Sequence, residues 1–121
     1  MIKFKRLLKS FTYAFRGLLK TFREEQNLKI QTIMAAAAII AGIFLNIERF
    51  EWLFLVLIIS LVILMEILNS AVERVADVLK PRINTYVKEI KDIMAAAVML
   101  ASICAVIIGL IVFLPHIIQM F

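Results

Sequence analysis

Five side chains able to do chemistry fall on one helical face in the second half of this chain: Glu66, Asn69, Ser70, Glu73 and Asp77. Counted from Glu66, their offsets are three, four, seven and eleven residues, the spacing that stacks side chains along one side of an α-helix. The fourteen residues before them, from Trp52 to Met65, are apolar apart from Ser60. An apolar helix therefore acquires, in its last turns, a stripe of three acids, an amide and a hydroxyl. Ionisable groups at membrane depth are costly and are retained where they meet partners, water, ions or substrate. The stripe is the candidate active site.

Its acids differ in depth. Glu66 and Glu73 are seven residues apart, about 10.5 Å along a helix axis. Glu66 lies deeper, where water competes weakly for a carboxylate and a proton-transfer role is open to it. Glu73 and Asp77 lie shallower, within reach of a hydrated divalent cation and a polyphosphate. Hard cations such as magnesium take oxygen ligands, typically one or two carboxylates together with substrate phosphates. Glu25 is the natural second carboxylate. Lys91 and the basic N-terminal segment can offset phosphate charge. These parts suit phosphoryl transfer to a hydroxyl presented by the membrane, with catalysis resting on positioning and electrostatics. The chain has no glycine-rich phosphate loop and no soluble-kinase signature, so a nucleotide site would be unconventional.

The elements that must position these groups follow from composition. Of 121 residues, 64% are hydrophobic, with three Gly and two Pro. A soluble domain of this size cannot hide so much apolar surface, whereas a membrane takes it directly. The expected fold is an all-α membrane protein forming a single domain over 1–121. Three transmembrane helices lie near 30–47, 52–77 and 92–114, with an N-terminal amphipathic interfacial helix over 3–23. In that first helix Phe4, Leu7, Leu8, Phe11, Phe15, Leu18, Leu19 and Phe22 share one face, while Lys3, Arg6, Lys9, Arg16, Lys20 and Arg23 lie largely off it. Arg6 and Tyr13, seven residues apart, are its candidates for a sharper role than anchoring. Gly17 is a candidate bend.

Residues 24–29 form a polar hinge in which Glu24 and Glu25 point in different directions, so that one faces the bundle. Ala35 to Ala38 and Gly42 offer a smooth packing surface in the first span. Trp52 is placed as an interfacial anchor after an external turn. Pro81 stops or turns the second helix, and Pro115 ends the third. His116 is expected at the external surface, far from the acids of the stripe. Cys104, the only cysteine, reads as a small packing residue. No cleavable signal peptide is expected, because an amphipathic segment follows the basic start.

The net charge of +5 is unevenly spread. Eight of fourteen Lys and Arg fall in the first 29 residues, and five more lie at positions 74 to 91. By the positive-inside rule the N-terminus is cytoplasmic and the C-terminus external. Basic residues arranged around hydrophobic spans point to anionic lipid headgroups or nucleotide phosphates rather than nucleic acid. Three helices enclose a polar stripe poorly, so a homo-oligomer is expected.

The run Met65-Glu66-Ile67-Leu68-Asn69-Ser70-Ala71-Val72-Glu73 resembles the signature of the small bacterial integral-membrane lipid kinases, the diacylglycerol kinase and undecaprenol kinase family. Lys91-Asp92 before an Ala-rich helix start resembles that family's second motif. Tyr13-Ala14-Phe15-Arg16-Gly17-Leu18 and Glu25-Gln26-Asn27 resemble its N-terminal elements. The similarity runs essentially end to end. It implies ATP- and Mg2+-dependent phosphorylation of a lipid alcohol in the bacterial inner membrane by a homotrimer with sites shared between subunits. Carried onto this chain, it makes Glu66 the catalytic base and gives Glu25 and Glu73 the metal that bridges the ATP phosphates. It places Arg6, Tyr13, Asn69, Lys91 and Asp92 on nucleotide or substrate, with Asp77 supporting the site and Arg6, Glu66 and Ala95 at the lipid.

The chain departs from the family pattern at Pro81-Arg82-Ile83-Asn84-Thr85, where members often carry a Glu-Tyr-His-type run. The segments Leu45-Asn46-Ile47-Glu48 and 108–115 look more like the undecaprenol kinase branch, with diacylglycerol the alternative acceptor. A rival of another class, a small oligomeric ion or proton transporter, uses Glu66 and Glu73 as a relay. It calls for polar stations across the whole membrane, and the outer halves of the spans are almost wholly apolar. A third reading, a structural subunit, has the acids simply paired with Arg74 and Lys91.

Overall fold

A computed structural model describes residues 3–79 and 84–121, apart from the side chain at position 84. It is all helical: α1 (Phe4–Glu24), α2 (Gln26–Leu45), α3 (Arg49–Leu79) and α4 (Asn84–Met120). The last three are each long and apolar enough to cross a membrane. Pro81 and the residues beside it, where a stop was expected, lie outside the described residues.

Helix α3 is the axis of the protein. Its buried residues Leu55, Ile58, Val62, Glu66 and Ser70 recur at intervals of three and four, so the packing seam runs straight into the acid stripe. Helix α4 packs most extensively against it, burying Val87, Ala101 and Val112. At the end of the bundle away from the acid stripe, Ile47, Leu55 and Val112 form an apolar cluster with Trp52 and Phe113 against it. Trp52 also packs within the bundle. Its ring lies over Gly42, where an added Cβ would meet Trp52 Cη2 at 2.8 Å. Glycine is needed there for close approach of the indole.

The turn from α2 to α3 is closed by Asn46, in the left-handed region at φ 51°, ψ 54°, as the α2 C-cap. Asparagine is among the few residues that adopt this conformation readily.

Three expectations are corrected. Helix α1 passes through Gly17 without a break, since one glycine in a 21-residue amphipathic helix costs only about 1 kcal/mol. The expected six-residue hinge shrinks to Glu25, the one non-helical residue between α1 and α2, at φ −102°, ψ 111°. Helix α4 does not end at Pro115 but runs through it to Met120. Neighbouring helices and local adjustment let spanning helices tolerate proline.

Helix α1 buries none of its residues, and Phe4, Phe11 and Phe15 are fully presented to the surroundings. Its apolar face has no protein partner within the chain, as a helix lying on a lipid surface requires.

Candidate active site

Exposure along the stripe follows depth. Glu66 is 4% and Ser70 5% exposed, Asn69 and Glu73 are half-buried, and Asp77 is exposed. Because α3 is continuous, the axial positions can be compared with a hydrocarbon layer about 30 Å thick. From Trp52, Glu66 lies about 21 Å along the axis, Glu73 about 32 Å and Asp77 about 38 Å. With Trp52 set at one face of such a layer, Glu66 falls within it, Glu73 at its edge and Asp77 beyond it.

Around Glu66 three other side chains converge. Gln31 of α2 hydrogen-bonds it, and Glu25 and Glu73 lie within electrostatic reach. Gln31 Nε2 also stands 3.5 Å from Ser102 Oγ of α4, so α2, α3 and α4 meet around one buried carboxylate. A groove of about 230 Å3 continues from Gln31 and Ser102 between the three helices, lined otherwise by apolar side chains such as Ala38, Ile59 and Val62. Among the described residues no Lys, Arg or His is within ion-pairing distance of Glu66 or Glu73. A buried carboxylate without a cation is a costly arrangement, which makes Glu66 a candidate functional group.

Toward the membrane edge the cations appear. Lys91 Nζ of α4 donates to Asp77 Oδ1 at 2.7 Å, and Glu73 is also within its electrostatic reach. Arg74 pairs with Glu24 Oε2 at 2.6 Å rather than with an acid of the stripe. Glu24 therefore turns to Arg74 while Glu25 is half-buried toward the bundle, so the two adjacent acids do point apart.

Other expected residues are not drawn in. Arg6 and Tyr13 are exposed on α1, and Arg16 stacks over the Tyr13 ring at 5.9 Å. Among the described residues no ion pair joins Arg6 to the stripe. Asp92 and Ala95 are exposed in the N-terminal part of α4. Asn84 and Thr85 begin α4, while residues 81–83 lie outside the described residues.

Two features went unread in the sequence. Gln31 was visible there as an amide inside the first span, but its register toward Glu66 needs the relative rotation of α2 and α3. The other is at the opposite end, where His116 Nε2 lies 2.9 Å from Glu51 Oε1. His116 is thus a part-buried partner of an acid, not a lone surface residue. The α4 extension past Pro115 carries it back over the start of α3.

Among the described residues no group of three or more His, Cys, Asp or Glu side chains is placed to hold a metal ion. A site of one or two carboxylates completed by phosphate oxygens and water is a different matter, and the oxygen-only donors Glu25 and Glu73, both close to Glu66, fit it.

Comparison with known proteins gives concordant matches. The sequence model of the prokaryotic diacylglycerol kinase family matches residues 12–113. The undecaprenol kinase of Bacillus subtilis is 34% identical over 110 residues, covering 91% of this chain and 89% of that protein. A diacylglycerol kinase of Synechocystis is 36% identical over 115 residues, 94% of this chain and 66% of that protein. The diacylglycerol kinase of Escherichia coli K12 is 29% identical over 113 residues, 93% of each chain.

Proposed function

Because the chain belongs to the prokaryotic diacylglycerol kinase family, and is a lipid kinase, we propose that its acceptor is undecaprenol and its product undecaprenyl phosphate. The observation that carries this choice is the match to the Bacillus subtilis undecaprenol kinase, in which 34% identity extends over nearly all of both chains. Diacylglycerol is the second reading, favoured by the 36% identity to the Synechocystis protein, though that match covers 66% of the longer relative. Apolar grooves discriminate weakly among chains, so the two acceptors compete for the same architecture.

A kinase family implies ATP as phosphoryl donor. In the proposed reaction the lipid hydroxyl oxygen forms a bond to the γ-phosphorus as its proton passes to Glu66. The bond from that phosphorus to the β–γ bridging oxygen breaks, and ADP leaves. Gln31 holds the Glu66 carboxylate, and burial keeps water from competing with the lipid hydroxyl. Glu25 and Glu73 would hold Mg2+, which when bound offsets phosphate charge. Lys91, steadied by Asp77, presents its ammonium to the phosphates at the membrane edge. Asn69 and Asp92 contact nucleotide or substrate from positions flanking this path, as do Arg6 and Tyr13 of α1, with Arg6 and Ala95 assigned to the lipid.

The wholly exposed α1 and the groove between helices support a homotrimer whose neighbouring subunits complete each site. The charge distribution supports insertion in the bacterial inner membrane, N-terminus cytoplasmic and C-terminus external.

The test is a paired assay. Purified protein in bilayers receives Mg2+ and radiolabelled ATP, with undecaprenol and diacylglycerol offered at equal mole fraction. The expected result is a higher kcat/KM for undecaprenol. A higher value for diacylglycerol overturns the acceptor assignment and leaves the kinase chemistry in place.

A further inference from the structure

The ion pair between Glu24 and Arg74 stands outside the catalytic set, yet it joins the neighbours of two members of that set. Glu24 is the last residue of α1, and Glu25, next in the chain, is the sole non-helical residue before α2. Arg74 follows Glu73 on α3. The pair spans fifty positions of sequence at 2.6 Å, short enough for a charge-assisted hydrogen bond. Apart from it, α1 packs chiefly on α2 and buries nothing of its own. The backbone of Glu25 is held by its N–H donating to Thr21 O at 2.9 Å and by the Lys29 N–H donating to its carbonyl at 3.3 Å, with Leu28 of α2 buried three residues on. Among the described residues the Glu24–Arg74 contact is the ion pair that ties the α1 side of this joint to α3.

We infer that the Glu24–Arg74 ion pair is a positioning clasp, which docks the α1–α2 joint onto α3 and so holds Glu25 opposite Glu73 in a geometry fit for a phosphate-bound divalent cation. The inference rests on the proposed roles of Glu25 and Glu73. The clasp touches neither substrate nor metal. Its side chains are 45% and 50% exposed, so its strength is modest and sensitive to salt. Such a pair tunes the population of a competent geometry; it does not create the site. Losing it leaves turnover of the saturated enzyme intact and weakens apparent affinity for Mg2+·ATP. An exposed pair of this kind corresponds to about a two- to five-fold change.

The experiment uses the full chain in bilayers, with Glu24→Gln, Arg74→Gln and the charge-swapped double variant Glu24→Arg/Arg74→Glu. Each single variant is expected to raise KM for Mg2+·ATP two- to five-fold with kcat and the lipid KM unchanged. The swap restores it. A second readout is independent of activity. Spin labels at Lys20→Cys and Val78→Cys, in a Cys104→Ser background, report the distance from α1 to the end of α3. The distribution is expected to broaden in each single variant and narrow again in the swap. Unchanged distances and KM values in the single variants overturn the clasp, provided Glu25→Gln and Glu73→Gln abolish turnover. If Glu25→Gln and Glu73→Gln instead keep full turnover, the site assignment falls and the clasp's catalytic role with it.

Discussion

The two ends of the helix bundle solve opposite problems. At the end away from the stripe Ile47, Leu55 and Val112 are buried together, Trp52 lies on Gly42, and the acid–base contact of Glu51 with His116 is matched and three-quarters covered. At the end that carries the stripe Glu66 is almost wholly buried, yet its polar partner is the amide Gln31, and acids rather than cations lie within its electrostatic reach. The cations stand further out, on Asp77 and Glu24. One end is arranged so that its groups satisfy each other. The other keeps carboxylates without a cation beside Glu66, which under the proposed function is the trade between stability and function that active sites commonly make.

That contrast can be broken most sharply at Glu66. Glu66→Gln is expected to lower turnover about 10²- to 10⁴-fold, the usual worth of a general base. Because it removes a buried charge, the thermal midpoint followed by circular dichroism should hold or rise. A large fall in stability would show the carboxylate to be structural. Gly42→Ala tests the opposite end. Its methyl would have to displace the Trp52 ring, at a cost of about 1–3 kcal/mol. Trp52 is the only tryptophan, so its fluorescence reports the displacement directly, while turnover per folded molecule stays at the parent value.

A smaller effect is expected of Lys91→Met, which should raise KM for ATP roughly tenfold by removing a charge-assisted contact. The lipid KM should not change; an equal rise in both would place Lys91 in general packing instead. The least effect belongs to His116→Gln. Its pair with Glu51 is hydrogen-bonded and partly exposed, so the loss in stability should be at most about 1 kcal/mol, with turnover untouched. A loss of turnover there would mean that this end of the bundle communicates with the stripe.

The sequence carried the spans and the shared face of the stripe better than the helix ends. The three spans and the stripe were legible because both depend on periodicity within one helix, which the chain states directly. Glu25 was legible as an acid at a junction, and Lys91 as a cation beside the stripe. Contacts between helices were not legible: Gln31 toward Glu66, Arg74 toward Glu24 and His116 toward Glu51 depend on the rotation of one helix about another. Proline and glycine misled in the same direction. Gly17 and Pro115 have strong local preferences against helix, and in each case the surroundings override them.

Pro115 leaves a trace even so. It has no amide proton, so the carbonyl of Ile111 lacks the donor that would close its turn. The five residues from His116 to Met120 are helical beyond a missing rung in the ladder. They form a short unit able to open without the rest of α4, and opening costs least where backbone bonds are fewest. In amide exchange this terminal turn should lose protection well before residues 101–112, with the Glu51–His116 contact slowing that loss. The bundle then has a soft cuff at the rim away from the acid stripe, and fraying of the last turn stops at the proline instead of running down the helix toward Ser102 and the groove.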